Sequence, residues 1–475
     1  MSQFEFFTPS RKIRTIVFNS QTLKKGFAHE GNLDHTVMKT IEKREKKVSI
    51  LNYGCSANRA IAEGMMGILE RHGYRIADSI EDTEVIIVNT CVVKQNTEHR
   101  MKSKLLSLSK TKDIIVTGCL PVVMRDWVSK KLPSARVLFP EAANRIIDLL
   151  NNHPVQEIKT VVPHIWSQLY TGHQYRYNPV ITTVEISRGC LGSCTFCIVR
   201  NIKGTVRSRS QESILKEIQL AIERGSKEIR LTSQDTGTYG WDFSPKLYIP
   251  TLIESITRLE GEFFIRLGMM TPITLKRFLS PLIQQLRTSK VFSFLHLPIQ
   301  AGSDPILQKM KRKETHEYFI DLVTQLRQEI NGLVLATDIM VGFPGESQKD
   351  YEATKQLLRE VSPTIVNISK YTDRPGTLAS QLSPKIPTKI KASRSRELTE
   401  LTRDIARREL RKWIGWEGII LIYDYGKYTD QFIGRNTSYL PVLIEGEKLS
   451  IGQVLKIHVT DAGPTYLIGE REKSV

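Results

Sequence analysis

The chain has 475 residues, 40% hydrophobic and 25% charged, with 29 Gly and 20 Pro; this composition suits about three folded domains and excludes a disordered or collagen-like polymer. Its 68 Lys and Arg against 50 Asp and Glu leave a net charge of +18, which favours a polyanionic partner, nucleic acid first, through counterion release from phosphates. No run approaches the roughly 18 apolar residues of a membrane helix, and no secretory leader opens the chain, so we expect a cytoplasmic monomer with no membrane partner.

Residues 1–46 form an N-terminal extension with one expected strand over 13–18, closing in a charge run at 42–47. From residue 48 the pattern sharpens into a strand over 48–53, a helix over 59–71, a strand over 85–89, a helix over 97–108 and a strand over 114–117. Strands that alternate with helices predict a parallel α/β sheet for a domain spanning 47–152. A polar stretch with Pro154 and Pro163 marks a linker over 153–180. In the next domain, 181–389, strands are expected over 182–187, 228–232, 263–268, 291–297, 333–340 and 365–371, with amphipathic helices between them. Six parallel strands in about 200 residues fit a partial (β/α)6 barrel, with ligands at the carboxyl ends of the strands. A linking helix covers 390–412. Residues 413–475 carry short β-rich runs, such as 418–425 and 454–460, punctuated by glycines, and predict a small antiparallel β-barrel.

Six cysteines in a chain without a secretory leader point to metal or redox chemistry rather than disulfides. Cys190, Cys194 and Cys197 stand in SRGCLGSCTFC, a CxxxCxxC spacing directly after the first strand of the second domain. Three thiolates can hold three irons of a 4Fe-4S cube and leave the fourth open to a substrate group. A structural zinc site closes four ligands, and His164 and His173, the nearest histidines upstream, fall in the linker. Cys55, Cys91 and Cys119 each come two residues after an expected strand end of the first domain. All three therefore belong at one edge of one parallel sheet and predict a second three-cysteine cluster; the alternative is that they fill the core as small hydrophobes.

At this point the chain resembles the radical S-adenosylmethionine (SAM) superfamily, in which the open iron binds SAM and the cluster's electron yields a 5'-deoxyadenosyl radical. The resemblance implies a cofactor pocket built from Phe196 in the cysteine loop, Gln234 and Asp235 after the second strand, Arg266 at the third, Gln300 and Ser303 after the fourth, and Gly342 and Phe343 after the fifth. Each has a plain alternative: Asp235 as an N-cap, Arg266 as an ion-pair residue, Gly342 in an ordinary turn.

With both cysteine triads and a terminal β-barrel, residues 47–475 resemble the methylthiotransferases, whose C-terminal TRAM module binds RNA. The segments GCLGSCTFCIVR, RLGMMTP, FLHLPIQAGSDPILQKMKR, TDIMVGFPGE and YTDRPGT most resemble the archaeal and eukaryotic branch acting on N6-threonylcarbamoyladenosine beside the tRNA anticodon. The chain departs from that pattern at Ala301, at Lys203-Gly204 and at Asp373. The resemblance implies two 4Fe-4S clusters, SAM, an electron donor, a sulfur source and a tRNA carrying threonylcarbamoyladenosine at position 37, whose C2 receives a methylthio group. Related alternatives are isopentenyladenosine in tRNA or a ribosomal-protein aspartate as substrate; an alternative of another class is an RNA-binding iron-sulfur protein without turnover.

The terminal barrel is near neutral, with eight basic and eight acidic residues over 410–475. The electrostatic weight falls instead on 385–412, with ten Lys and Arg against four acids. Arg403, Arg407, Arg408 and Lys412, joined by Arg435 of the barrel, are the expected RNA contacts, and Arg394, Arg396 and Arg411 share that helix. Tyr428 and Tyr439 are candidates for stacking on bases.

Overall fold

The computed structural model describes residues 46–472 except 78, 94, 154, 156–175, 247 and 447. The expected strand at 13–18 and most of the 153–180 linker, His164 and His173 included, lie outside the described residues.

The first sheet has five parallel strands: β1 (Lys47–Asn52), β2 (Arg75–Ile76), β3 (Val85–Thr90), β4 (Asp113–Gly118) and β5 (Arg136–Val137), in the order β2-β1-β3-β4-β5. The runs VIIVNT and DIIVTG are almost wholly buried, as expected for central parallel strands covered on both faces. The two-residue edge strands β2 and β5 escaped the sequence reading because they are too short to carry a period. Helix Ser56–Arg71 is buried along most of its length because it is shared: it packs on β1 and also on the first strand of the next domain.

That domain contributes β6 (Ile181–Glu185), an antiparallel ribbon of β7 (Ser187–Arg188) with β8 (Arg207–Ser208), then β9 (Glu228–Thr232), β10 (Phe264–Arg266), β11 (Phe294–His296), β12 (Val334–Val341) and β13 (Ile365–Lys370). All six expected barrel strands are present, but they form two parallel three-stranded sheets, β10-β9-β6 and β11-β12-β13, linked by the bridge Ile265–Val291. Alternate residues divide the faces. Val184, Leu231, Ile265, Leu295 and Ile339 join the outer core under the helices, while Phe294, Val334 and Ala336 turn the other way, towards the C-terminal barrel.

Helix Thr388–Arg411 packs on β13 through buried Leu398, Ile405 and Leu410. The last unit is a closed barrel, β14 (Glu417–Tyr425), β15 (Gln431–Asn436), β16 (Pro441–Glu445), β17 (Val454–Ala462) and β18 (Leu467–Arg471), in the order β14-β15-β16-β18-β17. It departs from a purely antiparallel barrel in one pair, because β16 and β18 run parallel. Among the described residues no helix is long and apolar enough to cross a membrane.

Candidate functional site

The first triad is positioned by the carboxyl ends of three neighbouring strands. Cys91 follows β3 and Cys119 follows β4, while Cys55 precedes helix Ser56–Arg71 just after β1. Gly118 brings the second and third together. At φ +85 it turns the chain so tightly that a Cβ would lie 2.4 Å from the Thr90 carbonyl oxygen, a conformation open to glycine. The Cys119 amide then donates to the Thr90 carbonyl at 3.1 Å and the Leu120 amide to Thr90 Oγ1 at 3.0 Å. Cys119 is buried, which pushes its thiol up to about 12; Lys203 opposes that shift, and Cys91 and Cys55 add to it as neighbouring anions. Cys91 and Cys55 thus both lie near Cys119. Asn58, also buried, donates to the Thr90 carbonyl at 2.9 Å and steadies the same corner.

The second triad sits in a loop tied down on both sides. Gly189, at φ +86, could not carry a Cβ, which would meet the Thr205 carbonyl at 2.1 Å. Its amide donates to Gln234 Oε1 at 2.6 Å and the Cys190 amide to the Gly204 carbonyl at 3.2 Å. Thr195 donates from its amide to the Met310 carbonyl at 3.0 Å and from its hydroxyl to the Lys309 carbonyl at 2.9 Å. Two sulfurs flank Gly192: a Cβ there would lie 3.2 Å from Cys190 Sγ and 3.9 Å from Cys194 Sγ, and its amide donates to Cys190 Sγ at 3.2 Å. Arg312, buried and ion-paired with Glu314, donates to Cys194 Sγ at 3.7 Å. Burial pushes the Cys190 thiol up to about 12, with Asp235 adding to the shift. Burial raises the Cys197 thiol too, so Cys190 and Cys197 need a cationic partner to ionise, which iron would supply. Among the described residues no three His, Cys, Asp or Glu side chains close as tightly as a single metal ion requires. A cube takes its ligands at separate corners, and a set of three cysteines at neighbouring strand ends or in one loop fits that donor set.

The two triads share one interface. Ile198 and Ile202, from the loop and helix Val199–Lys203 that follow Cys197, pack into the same buried cluster as Val92, Cys119 and Leu120 of the first domain. A buried ion pair secures the contact farther out. Arg374 Nη1 meets Glu98 Oε2 at 2.5 Å, and Arg374 Nη2 donates to the Val93 carbonyl at 3.0 Å.

The expected pocket residues divide into two groups. Phe196 packs edge-on against Phe343 (6.5 Å) beside the cysteine loop, and Gln300 adopts φ +78 where it bridges to Ile339. Three other expected pocket residues have polar groups or surfaces engaged within the fold. Asp235 accepts from the Gly237 and Thr271 amides at 3.1 and 3.2 Å, the N-cap alternative. The Ser303 hydroxyl is bound to Asp350 Oδ1 at 2.5 Å, and Phe343 is fully buried between Phe196 and Tyr371. All three position the loops. The Gly342 amide likewise donates to Glu346 Oε2 at 2.7 Å.

Arg266 lies deeper on the inner face, over Phe294 and Tyr439 at 5.3 and 5.7 Å. The motifs FLHLPIQAGSDPILQKMKR and TDIMVGFPGE set His296 and Asp338 at strand ends, where His296 could also be a satisfied core histidine, and the structure brings them together: His296 Nε2 and Asn367 Nδ2 both meet Asp338 Oδ1, at 2.9 and 2.8 Å. These residues come from three strands that only the sheet order brings side by side.

On the RNA-facing expectations, Arg403, Arg407, Arg408 and Lys412 are exposed along one helix; Arg407 pairs with Asp404 and Lys412 with Glu409. Arg435 differs from these in its surroundings. It is buried between the rings of Tyr423 and Tyr439, each at 4.1 Å, and pairs with Glu228 Oε2 at 3.4 Å. Tyr439 is buried too, its hydroxyl donating to Glu228 Oε1 at 3.1 Å, so it cannot stack on a base; Tyr428 is exposed. Arg394 is likewise buried, against Glu346.

Residues 47–140 match an uncharacterized protein family, UPF0004, residues 184–358 the Radical SAM superfamily and residues 419–471 the TRAM domain. The chain is 37% identical over 429 residues to a probable threonylcarbamoyladenosine tRNA methylthiotransferase of Pyrococcus horikoshii, covering 89% of this chain and 99% of that one. It is 30% identical over 445 residues to a tRNA-2-methylthio-N(6)-dimethylallyladenosine synthase of Aquifex aeolicus, covering 90% and 98%. Among solved structures, the radical S-adenosylmethionine methyltransferase TsrM from Kitasatospora setae, with cobalamin and a 4Fe-4S cluster bound, superposes with a TM-score of 0.53. At 12% identity over 71% of this chain and 77% of that one, the likeness is one of fold.

Proposed function

Because the chain belongs to the threonylcarbamoyladenosine tRNA methylthiotransferases of the radical SAM superfamily, we propose that it inserts a methylthio group at C2 of N6-threonylcarbamoyladenosine at position 37 of tRNA. The observation that carries this reading is that the CxxxCxxC loop, through Ile198 and Ile202, joins the same buried cluster as Cys119 at the edge of the first sheet. Adenine C2 bears no proton acidic enough for an ordinary base, so its substitution calls for radical chemistry beside a sulfur carrier.

SAM and a 4Fe-4S cluster go with the superfamily; Cys190, Cys194 and Cys197 are the residues to hold that cluster. Cys55, Cys91 and Cys119 hold a second, auxiliary 4Fe-4S cluster. When bound, the first supplies the electron that cleaves SAM and the second carries the sulfur to be transferred. The protein's own residues keep the two loops in fixed relation: Thr195 and Gly189 pin the first, Gly118 and Thr90 shape the second, and Arg374 with Glu98 clamps the domains. Phe196, Gln234, Gln300, Gly342 and Arg266 border the SAM pocket. Helix Thr388–Arg411 presents Arg403, Arg407 and Arg408, with Lys412 at its end, to phosphates, and the enzyme works as a cytoplasmic monomer with external electron and sulfur donors.

The test is nucleoside mass spectrometry after anaerobic turnover with SAM, a reductant, sulfide and tRNA bearing either threonylcarbamoyladenosine or isopentenyladenosine. The expected product is the 2-methylthio derivative of the first. Product from the second alone, or none from either while SAM is cleaved, would overturn the substrate assignment. Replacing Cys55, Cys91 and Cys119 by Ala should abolish methylthiolation and spare 5'-deoxyadenosine formation; methylthiolation at the wild-type rate would remove the auxiliary cluster from the reaction.

A further inference from the structure

Residues 310–314, which follow helix Asp304–Lys309, form a turn against the CxxxCxxC loop. Lys311, at φ +54, reverses the chain, and the Arg312 amide donates to the Leu307 carbonyl at 2.8 Å, which closes the helix end. Thr195, the residue after Cys194, ties the cysteine loop to the same turn. Its amide donates to the Met310 carbonyl at 3.0 Å and its hydroxyl to the Lys309 carbonyl at 2.9 Å. The Arg312 side chain, only 7% exposed, lies in the seam so formed.

Both ends of the guanidinium are engaged. Nη2 donates to the carbonyl of Pro298, two residues past β11, and pairs with Glu314, whose side chain is fully buried. Nη1 donates to Cys194 Sγ at 3.7 Å, a separation that suits sulfur because its radius exceeds that of oxygen. The Glu314 carboxylate offsets the cost of burying the guanidinium, and the Pro298 carbonyl fixes its plane, so Nη1 is held on the sulfur. A charge buried at this point is screened by salt far less than one on the surface.

We propose that Arg312 is a positioning residue that acts through Cys194: its charge-assisted hydrogen bond to the thiolate sulfur raises the reduction potential of the cluster on Cys190, Cys194 and Cys197. The inference rests on the assignment of that cluster to these three cysteines. Reduction adds one electron, and so one negative charge, to the cluster and its thiolates. A cationic donor held on one of the sulfurs stabilises the more negative state. Arg312 thereby eases uptake of the electron from the external donor and makes the reduced cluster a milder reductant.

The test uses the full chain with Cys55, Cys91 and Cys119 replaced by Ala, so that any iron belongs to the CxxxCxxC loop. The reconstituted protein, without SAM, is reduced stepwise with dithionite, and the midpoint potential is read from the electron paramagnetic resonance of the reduced cluster. The double variant Arg312→Met/Glu314→Gln removes the donor without stranding a buried carboxylate. It should retain about four irons and shift the reduction equilibrium at least about tenfold towards the oxidised state, a drop of about 59 mV for a one-electron couple. Arg312→Lys keeps the charge but not the planar fork, and its potential should fall between. Glu314→Gln alone should not lower the potential, because the guanidinium and its sulfur contact remain. An unchanged or raised potential in the double variant, or the same drop in Glu314→Gln, would overturn the inference while leaving the cluster in place. Loss of iron from the double variant would also overturn it, reducing Arg312 to a prop for the loop. Absence of iron from the triple-Ala parent would overturn the cluster assignment and the inference with it.

Discussion

Replacing Arg374 by Ala should uncouple the two domains without unfolding either. Arg374 and Glu98 have side chains 9% and 6% exposed, and the guanidinium serves two groups of the first domain, the Glu98 carboxylate and the Val93 carbonyl. Removing one partner of a buried ion pair costs about 3–5 kcal/mol, chiefly through the charge left behind. Here the stranded Glu98 keeps Lys102 at 2.7 Å, which places the loss near the lower end, about 3 kcal/mol. At 1.36 kcal/mol per decade the docking equilibrium should shift roughly 10²-fold towards separation. Hydrogen exchange reads this directly: peptides over 91–108 should exchange faster by about that factor, while peptides from β12 stay protected. In turnover, 5'-deoxyadenosine should persist and its ratio to methylthiolated tRNA should rise, because in the proposed function SAM cleavage draws on one domain and transfer on both. Arg374→Lys, which can meet only one of the two acceptors well, should fall between. Unchanged exchange over 91–108 together with an unchanged product ratio would refute the reasoning and reduce the pair to a bystander.

Burial raises the Glu63 carboxyl from 4.5 to about 7, against the opposing charge of Arg59 and the hydrogen bond from the Tyr177 amide. A carboxyl that binds its proton more tightly when folded stabilises fully below about pH 4.5 and loses that contribution as pH rises through 7, on the order of 3 kcal/mol in all. Glu63→Gln should therefore raise the thermal midpoint relative to wild type at pH 8 and leave it nearly level at pH 5; an equal difference at both pH values would contradict this. For RNA, the double variant Arg403→Gln/Arg408→Gln should reduce the slope of log affinity against log salt by roughly 1.4–1.8, and a slope that does not move would return this helix to a merely solvated face. Arg435→Gln should leave the slope alone but release the terminal barrel to proteolysis at its junction with helix Thr388–Arg411, since it removes the cation held by Tyr423, Tyr439 and Glu228. A flattened slope with an intact junction would restore Arg435 as a phosphate contact.

Local patterning determined much of this protein. The CxxxCxxC loop, the strand-to-cysteine spacing at Cys91 and Cys119, and the runs VIIVNT and DIIVTG are short-range signals, because strand period and the residue after a strand end depend on neighbours in sequence. The same holds for the exposed basic stretch at Arg403, Arg407 and Arg408. Tertiary structure alone decided which polar side chains are free. Ser303, Arg394, Arg435 and Tyr439 have the chemistry of ligand-binding residues, yet partners 47 to 211 residues away engage them. Lys203 and Arg374 look like ordinary surface cations in sequence, and the docking of two domains buries them beside Glu141 and Glu98. Burial and pairing across a fold are non-local: the cost of a desolvated charge depends on what the rest of the chain places against it, and no window of sequence contains that information.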